Sequence, residues 1–176
     1  KQFATTLASL LLALITPIFL LAQTQGDFSI YLNSGKFVPD NNINFVTKSD
    51  DVFQKSIFLD KHYVAIQFYA LPNQSTKDQL HAAGIDLGDY LPNNTYAAAV
   101  SKDISIASLK LFNIRGIFQL AAYQKAGSFL LNGNAPAHAV KQSGYADINI
   151  VTYEKINSAA VQTAIAFLNA AIIEDV

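Results

Sequence analysis

The run His62-Tyr63-Val64-Ala65-Ile66-Gln67-Phe68-Tyr69 alternates after the histidine, with Val64, Ile66 and Phe68 on one side and Tyr63, Ala65, Gln67 and Tyr69 on the other. A period of two sustained over this length predicts a strand. Leu71-Pro72-Asn73-Gln74 ends it. Ser75 then reads as the cap of a helix over 76–83, with Asp78 placed to favour the helix dipole and Gly84 as the stop. Residues 85–91 form a second extended run, Pro92-Asn93-Asn94 a turn, and 95–100 a third strand. Ile104, Ala107 and Leu111 fall at helical spacing and predict a helix ending near Arg115-Gly116, with a fourth strand over 117–123.

The order β-α-β-β-α-β predicts an α+β chain with a ferredoxin-like (βαββαβ) unit over 61–125, in which two helices cover one face of an antiparallel sheet. The expected core is Val64, Ile66, Phe68, Tyr96, Ala98, Val100, Phe118 and Leu120 from the strands, with Leu80, Ile104 and Leu111 from the helices. The other face carries Tyr63, Ala65, Gln67, Tyr69, Ala97, Ala99, Gln119, Ala121 and Tyr123. An ordinary solvated sheet face is rich in charge and threonine, whereas this one is uncharged, with alanine at the centre and tyrosine at the rim. Alanine permits close approach and tyrosine is enriched at interfaces, so these nine residues are read as a partner-facing surface.

Outside this unit the chain divides further. Lys1 precedes an apolar stretch reaching Ala22, after which the sequence turns polar at Gln23. That is the layout of a secretory signal peptide over 1–22, cut between Ala22 and Gln23, and it predicts a secreted or periplasmic protein. The competing reading is a membrane anchor formed by the uncleaved segment, which Pro17 interrupts. Residues 23–60 form an N-terminal extension with a hairpin around Asn33-Ser34-Gly35, and 126–144 a linker. Over 145–176, Asp147-Ile148-Asn149-Ile150-Val151-Thr152-Tyr153, a helix capped by Asn157, and Ala171-Ile172-Ile173 repeat the strand-helix-strand order of 63–91. They read as a truncated second copy of the unit.

Composition removes several chemistries. With 51% hydrophobic and 14% charged residues the chain is not of the disordered class. A net charge of -1 gives no general attraction to nucleic acid. There is no cysteine, so thiol catalysis, disulfide scaffolds and iron–sulfur sites are ruled out. His62, His81 and His138 have no second ligand at metal-binding spacing and read as surface histidines. The loop 70–74 lacks the arginine an acylphosphatase requires, and Arg115 is the only arginine in the chain. No catalytic residue, metal site or cofactor is therefore expected.

The segments His62-Tyr63-Val64-Ala65-Ile66-Gln67-Phe68, Leu80-His81-Ala82-Ala83-Gly84-Ile85 and Asp89-Tyr90-Leu91-Pro92-Asn93-Asn94-Thr95-Tyr96 resemble the amino-terminal prodomain region of secreted subtilisin-like (S8 family) serine peptidases, Bacteroidetes-like ones in particular. Tyr31-Leu32-Asn33-Ser34-Gly35-Lys36-Phe37-Val38-Pro39 is similar to the segment that precedes it there. The resemblance covers about residues 28–125 well and the remainder loosely. It implies a ferredoxin-like module that assists folding of a catalytic domain and inhibits it, with that domain as partner. None of the Asp-Ser/Thr-Gly, His-Gly-Thr or Gly-Thr-Ser triad segments is present, so the chain itself is expected to be non-catalytic. The alternative is a free-standing secreted binding module on the same fold.

Overall fold

Strand β4, Lys61–Phe68, is the axis on which the rest of the molecule is assembled. The computed structural model describes residues 26–168 and 170–173. The expected signal peptide and its cut at Ala22 and Gln23 lie outside the described residues. In chain order, β1 (Ile30–Leu32) and β2 (Gly35–Phe37) form a hairpin, followed by α1 (Asp51–Gln54), β3 (Ile57–Phe58) and β4. Then come α2 (Gln74–Ala82), β5 (Ile85–Leu91), β6 (Thr95–Ser101), α3 (Ile106–Leu109) and β7 (Ile114–Phe118). Short helices α4 (Ala122–Lys125) and α5 (Ser128–Leu131) and a longer one, α6 (Ser158–Ala166), follow. It is an α+β structure built on antiparallel pairing. Among the described residues no helix is long and apolar enough to cross a membrane.

The main sheet runs β5-β6-β4-β7, and every pair is antiparallel. β6 pairs along one side of β4, from Lys61↔Ser101 to Gln67↔Thr95. The other side is shared by β3 at His62 and by β7 from Ala65↔Phe118 onward. Val64, Ile66 and Phe68 therefore face one layer, where they join Leu80 of α2, Leu109 of α3 and Ile104 in one core. Ile43, Val46 and Phe53, from the segment ahead of β3, complete the same core.

Local chemistry explains the element ends that differ from expectation. The cap of α2 is Asn73 rather than Ser75, because its Oδ1 accepts from the Thr76 N–H at 2.9 Å and from the Thr76 hydroxyl at 3.0 Å. Gly84, at φ 85, takes the left-handed conformation that closes α2, and its N–H donates to the His81 carbonyl. The second helix stops earlier than the apolar spacing predicts. Asn113 adopts φ 53, so the chain turns before Arg115 and enters β7 at Ile114. Leu109 replaces Leu111 in the core, and Leu111 is 79% exposed. The shift, with a bulge opposite Gln67/Phe68, turns Ile117 inward and Phe118 outward, reversing the expected assignment of Phe118.

Of the expected second copy, α6 forms, with Asn157 Oδ1 accepting from the Ala160 N–H at 2.9 Å, yet it buries no residue. Residues 147–153 form no strand. A strand needs a ladder partner, and among the described residues this region offers only the isolated bridge Gln142↔Tyr145. The end of the repeat, 174–176, lies outside the described residues.

Candidate interaction surface

The register brings the sequence-predicted residues of β4 and β6 onto one face, since Tyr63 stands opposite Ala99 and Ala65 opposite Ala97. That face is not open. Ala65, Gln67 and Ala99 are buried, at 3%, 0% and 7% exposure. The cover is the chain itself, in two places.

The first cover is the N-terminal extension. Gln67 Nε2 donates to the Phe28 carbonyl (2.9 Å), the Asn93 carbonyl (3.1 Å) and Thr95 Oγ1 (3.2 Å). Its Oε1 accepts from Arg115 Nη1 at 2.8 Å, and the same nitrogen donates to the Pro39 carbonyl at 2.7 Å. The guanidinium lies over the Phe28 ring, 4.6 Å from its centroid. A buried amide is costly unless satisfied, and here the Gln67 side chain is satisfied on both atoms, with the covering segment supplying one acceptor, the Phe28 carbonyl. Phe37 of β2 packs edge-on against Phe118 at 5.4 Å, and Asn93 Nδ2 donates to the Ser29 carbonyl. The second cover is the segment at Tyr153, whose ring lies 5.1 Å from that of Tyr63 beside Ala97 and Ala99. Burial raises the pKa of both tyrosines above the ordinary phenol value.

The remaining predicted positions are scattered. Tyr69 is 43% exposed, and its hydroxyl donates to Asn41 Oδ1 at 3.0 Å. Gln119, Ala121 and Tyr123 are not in the sheet, because β7 ends at Phe118 and Ala121 leads into α4, where its N–H donates to Gln124 Oε1. Of the nine expected residues, Gln119, Ala121 and Tyr123 thus lie outside the sheet, and the centre of the face, at Ala65, Gln67 and Ala99, is covered by the chain itself.

Two titratable clusters escaped the sequence reading. Asp86, on β5, accepts from Lys61 Nζ at 2.7 Å and lies 2.6 Å from His81 Nδ1. Burial alone would push its carboxyl up, but the Lys61 and His81 hydrogen bonds and charges hold it below the ordinary carboxylate value. The same bond to Asp86 raises the Lys61 ammonium pKa. The spacing of 61, 81 and 86 carries no motif; only the pairing of β4, β6 and β5 brings them together. The second cluster is Ser56 Oγ and His62 Nδ1, 3.3 Å apart. A serine beside a histidine invites comparison with a nucleophile and its base. Both are buried, Phe53 stacks edge-on against the imidazole at 5.1 Å, and the serine hydroxyl donates to the Phe53 carbonyl, so the pair serves the core. Among the described residues no three histidines or carboxylates gather to hold a metal ion.

His62 gives the fold a defined pH response. Burial, aided by the charge of Lys48, lowers its pKa from the reference 6.5. The unfolded chain therefore takes up the proton at a higher pH than the folded one. Stability from this residue is complete above pH 6.5 and is lost as pH falls through that value toward the lower folded pKa. Thermal melts from pH 7.5 down to about 5 are expected to show the decline, and His62→Phe to flatten it over that window. An unchanged slope in the variant would remove His62 from this role.

A family model described as a domain of unknown function, DUF8729, matches residues 31–121. This chain belongs to the DUF8729 family. No curated protein and no solved structure matches the chain significantly. The DUF8729 match opens within β1 and closes at Ala121, just past β7, so it takes in the extension as well as the sheet. Physically the two are one unit, since Arg115, Gln67 and Asn42 of the DUF8729 segment tie them together.

Proposed function

We propose that the chain is a non-catalytic, prodomain-type module of a secreted subtilisin-like serine peptidase, built on a ferredoxin-like unit, which assists folding of the catalytic domain and restrains it. The observation that carries the proposal is the sheet order β5-β6-β4-β7 from the chain order strand-helix-strand-strand-helix-strand, with Leu80 of α2 and Leu109 of α3 packed on one face. The segments that resemble such prodomains, 62–68, 80–85 and 89–96, lie in neighbouring parts of β4, α2, β5 and β6. The Ser56 and His62 pair is buried, which fits a module that acts by binding. In this proposal the docking surface includes the extension over 28–43, because that segment covers the centre of the outer face. Export by the leader over 1–22, followed by its removal, belongs to the same proposal.

The self-covered outer face favours a second reading, a free-standing secreted binding module, since a sheet that hides its own face needs no partner to do so. Both are decided by the reading frame beyond Val176, followed by refolding of the catalytic domain found there. The prodomain proposal expects the three triad segments in frame, and recovery of active peptidase at least about tenfold greater when the full chain is added. A tenfold effect corresponds to about 1.4 kcal/mol of barrier or binding difference. A frame without those segments, or recovery that ignores the chain, would overturn it in favour of the free-standing module.

A further inference from the structure

The two covers of the outer face are held in different ways. The N-terminal one belongs to the core: Ser29 and Ile30 are buried, and side-chain hydrogen bonds fix residues 28–42 to Gln67, Asn93, Arg115 and Ile117. The C-terminal one is held by contact alone. Among the described residues no hydrogen bond and no ion pair joins Tyr153, Glu154 or Lys155 to the sheet. The Tyr153 ring lies 5.1 Å from that of Tyr63 beside Ala97 and Ala99, and Glu154 lies over Gly88, where an added methyl would stand 3.7 Å from its Cβ. From Ile148 to Ala159 every residue but Tyr153 and Ile156 is exposed, and α6 buries nothing.

The backbone that carries Tyr153 is a strained turn. The Ile156 N–H donates to the Tyr153 carbonyl at 3.3 Å, and Lys155 inside the turn takes φ 58, a left-handed conformation unfavourable for lysine. A turn that sets one aromatic ring on a floor of small residues, with no polar tie, can leave without stranding a buried donor or acceptor. The first cover cannot, because Gln67 and Arg115 would lose their partners. The turn also lies beyond the DUF8729 segment, which closes at Ala121, and a tether of about thirty residues holds it there at an effective concentration on the order of 1 mM.

We propose that residues 150–157 are a reversible latch over the outer face. Tyr153 fills the space above Ala97 and Ala99 in cis, and a partner segment presenting an aromatic side chain reaches that space only by displacing it. The latch stands apart from the prodomain assignment, and its test contains no peptidase, so either can fail without the other.

The test uses the full chain, labelled for amide resonances, its Tyr153→Ala variant, and an acetylated, amidated peptide with the sequence of residues 150–157. The variant is expected to fold as wild type does and to bind the peptide with Kd on the order of 0.1 mM, shifting the Gly88, Ala97 and Ala99 amides. A latch closed about nine-tenths of the time leaves about one-tenth of wild-type molecules competent, so wild type should bind the same peptide about tenfold more weakly. Ala97→Leu, added to Tyr153→Ala, occupies the space and should abolish binding. Equal affinity for wild type and variant, no shift of those amides in the variant at about 2 mM peptide, or binding that survives Ala97→Leu would each overturn the proposal. So would failure of Tyr153→Ala to fold, which would make the segment part of the core, or a concentration-dependent dimer lost in that variant, which would seat the latch in a second copy.

Discussion

Gly116→Ala is expected to melt at least about 10 °C below wild type, a loss of roughly 2–4 kcal/mol for a domain of this size. The residue lies in β7 directly beneath residues 39–43, and a methyl built on it would fall inside van der Waals contact with the Asp40 carbonyl oxygen and 3.3 Å from Asn42 Oδ1. A main-chain carbonyl cannot rotate away as a side chain would. The segment must lift, and with it go the Pro39–Arg115 bond and both Asn42–Ile117 bonds. Arg115 and Gln67 would then lose buried partners, adding the desolvation cost of unsatisfied polar groups. Differential scanning of the two chains checks this. A melting temperature within 2 °C or so of wild type would mean that the extension is not an integral part of the unit.

Phe53→Ala is the second large effect, with an expected loss of about 3–5 kcal/mol. Phe53 is fully buried between the His62 ring and the aliphatic core, with Lys48 Nζ 5.5 Å from its centroid. Truncation leaves a cavity that α1, only one turn long, is poorly able to collapse. It also admits water to His62, so the acid-dependent loss of stability should become shallower in this variant as the imidazole regains solvation. Urea titration at pH 7 gives the first quantity, and repetition at about pH 5.5 gives the second. A loss below about 1 kcal/mol would show that the 43–53 segment is only loosely attached.

The elements from β4 to β6 are readable in the sequence because each rests on a local signal: period-two alternation at 63–69, Gly84 as a helix stop, and the Pro92-Asn93-Asn94 turn. The core residues Ile43, Val46 and Phe53 are not readable in the same way. They sit in a four-residue helix and the irregular chain before it, where no period can form. β7 is displaced from its expected place because a single left-handed asparagine, Asn113, ends the preceding turn, and asparagine is compatible with both helix and turn. The outer face shows where composition helps and where it stops. Its alanines and tyrosines do mark a contact surface, yet composition cannot distinguish a partner's atoms from those of Phe28, Pro39 or Tyr153. Arg115 carries the one signal that was available: a lone arginine beside a glycine in an apolar strand needs acceptors, and Gln67 and the Pro39 carbonyl supply them.

The proposed binding to a subtilisin-like catalytic domain is read out by calorimetric titration of the full chain into that domain. Saturable one-to-one binding with Kd of about 1 μM or tighter, near −8 kcal/mol, is expected, with a matching loss of hydrolysis of a chromogenic peptide. Absence of heat and of inhibition with the chain at about 100 μM, a concentration at which a 1 μM complex would be saturated, would contradict it.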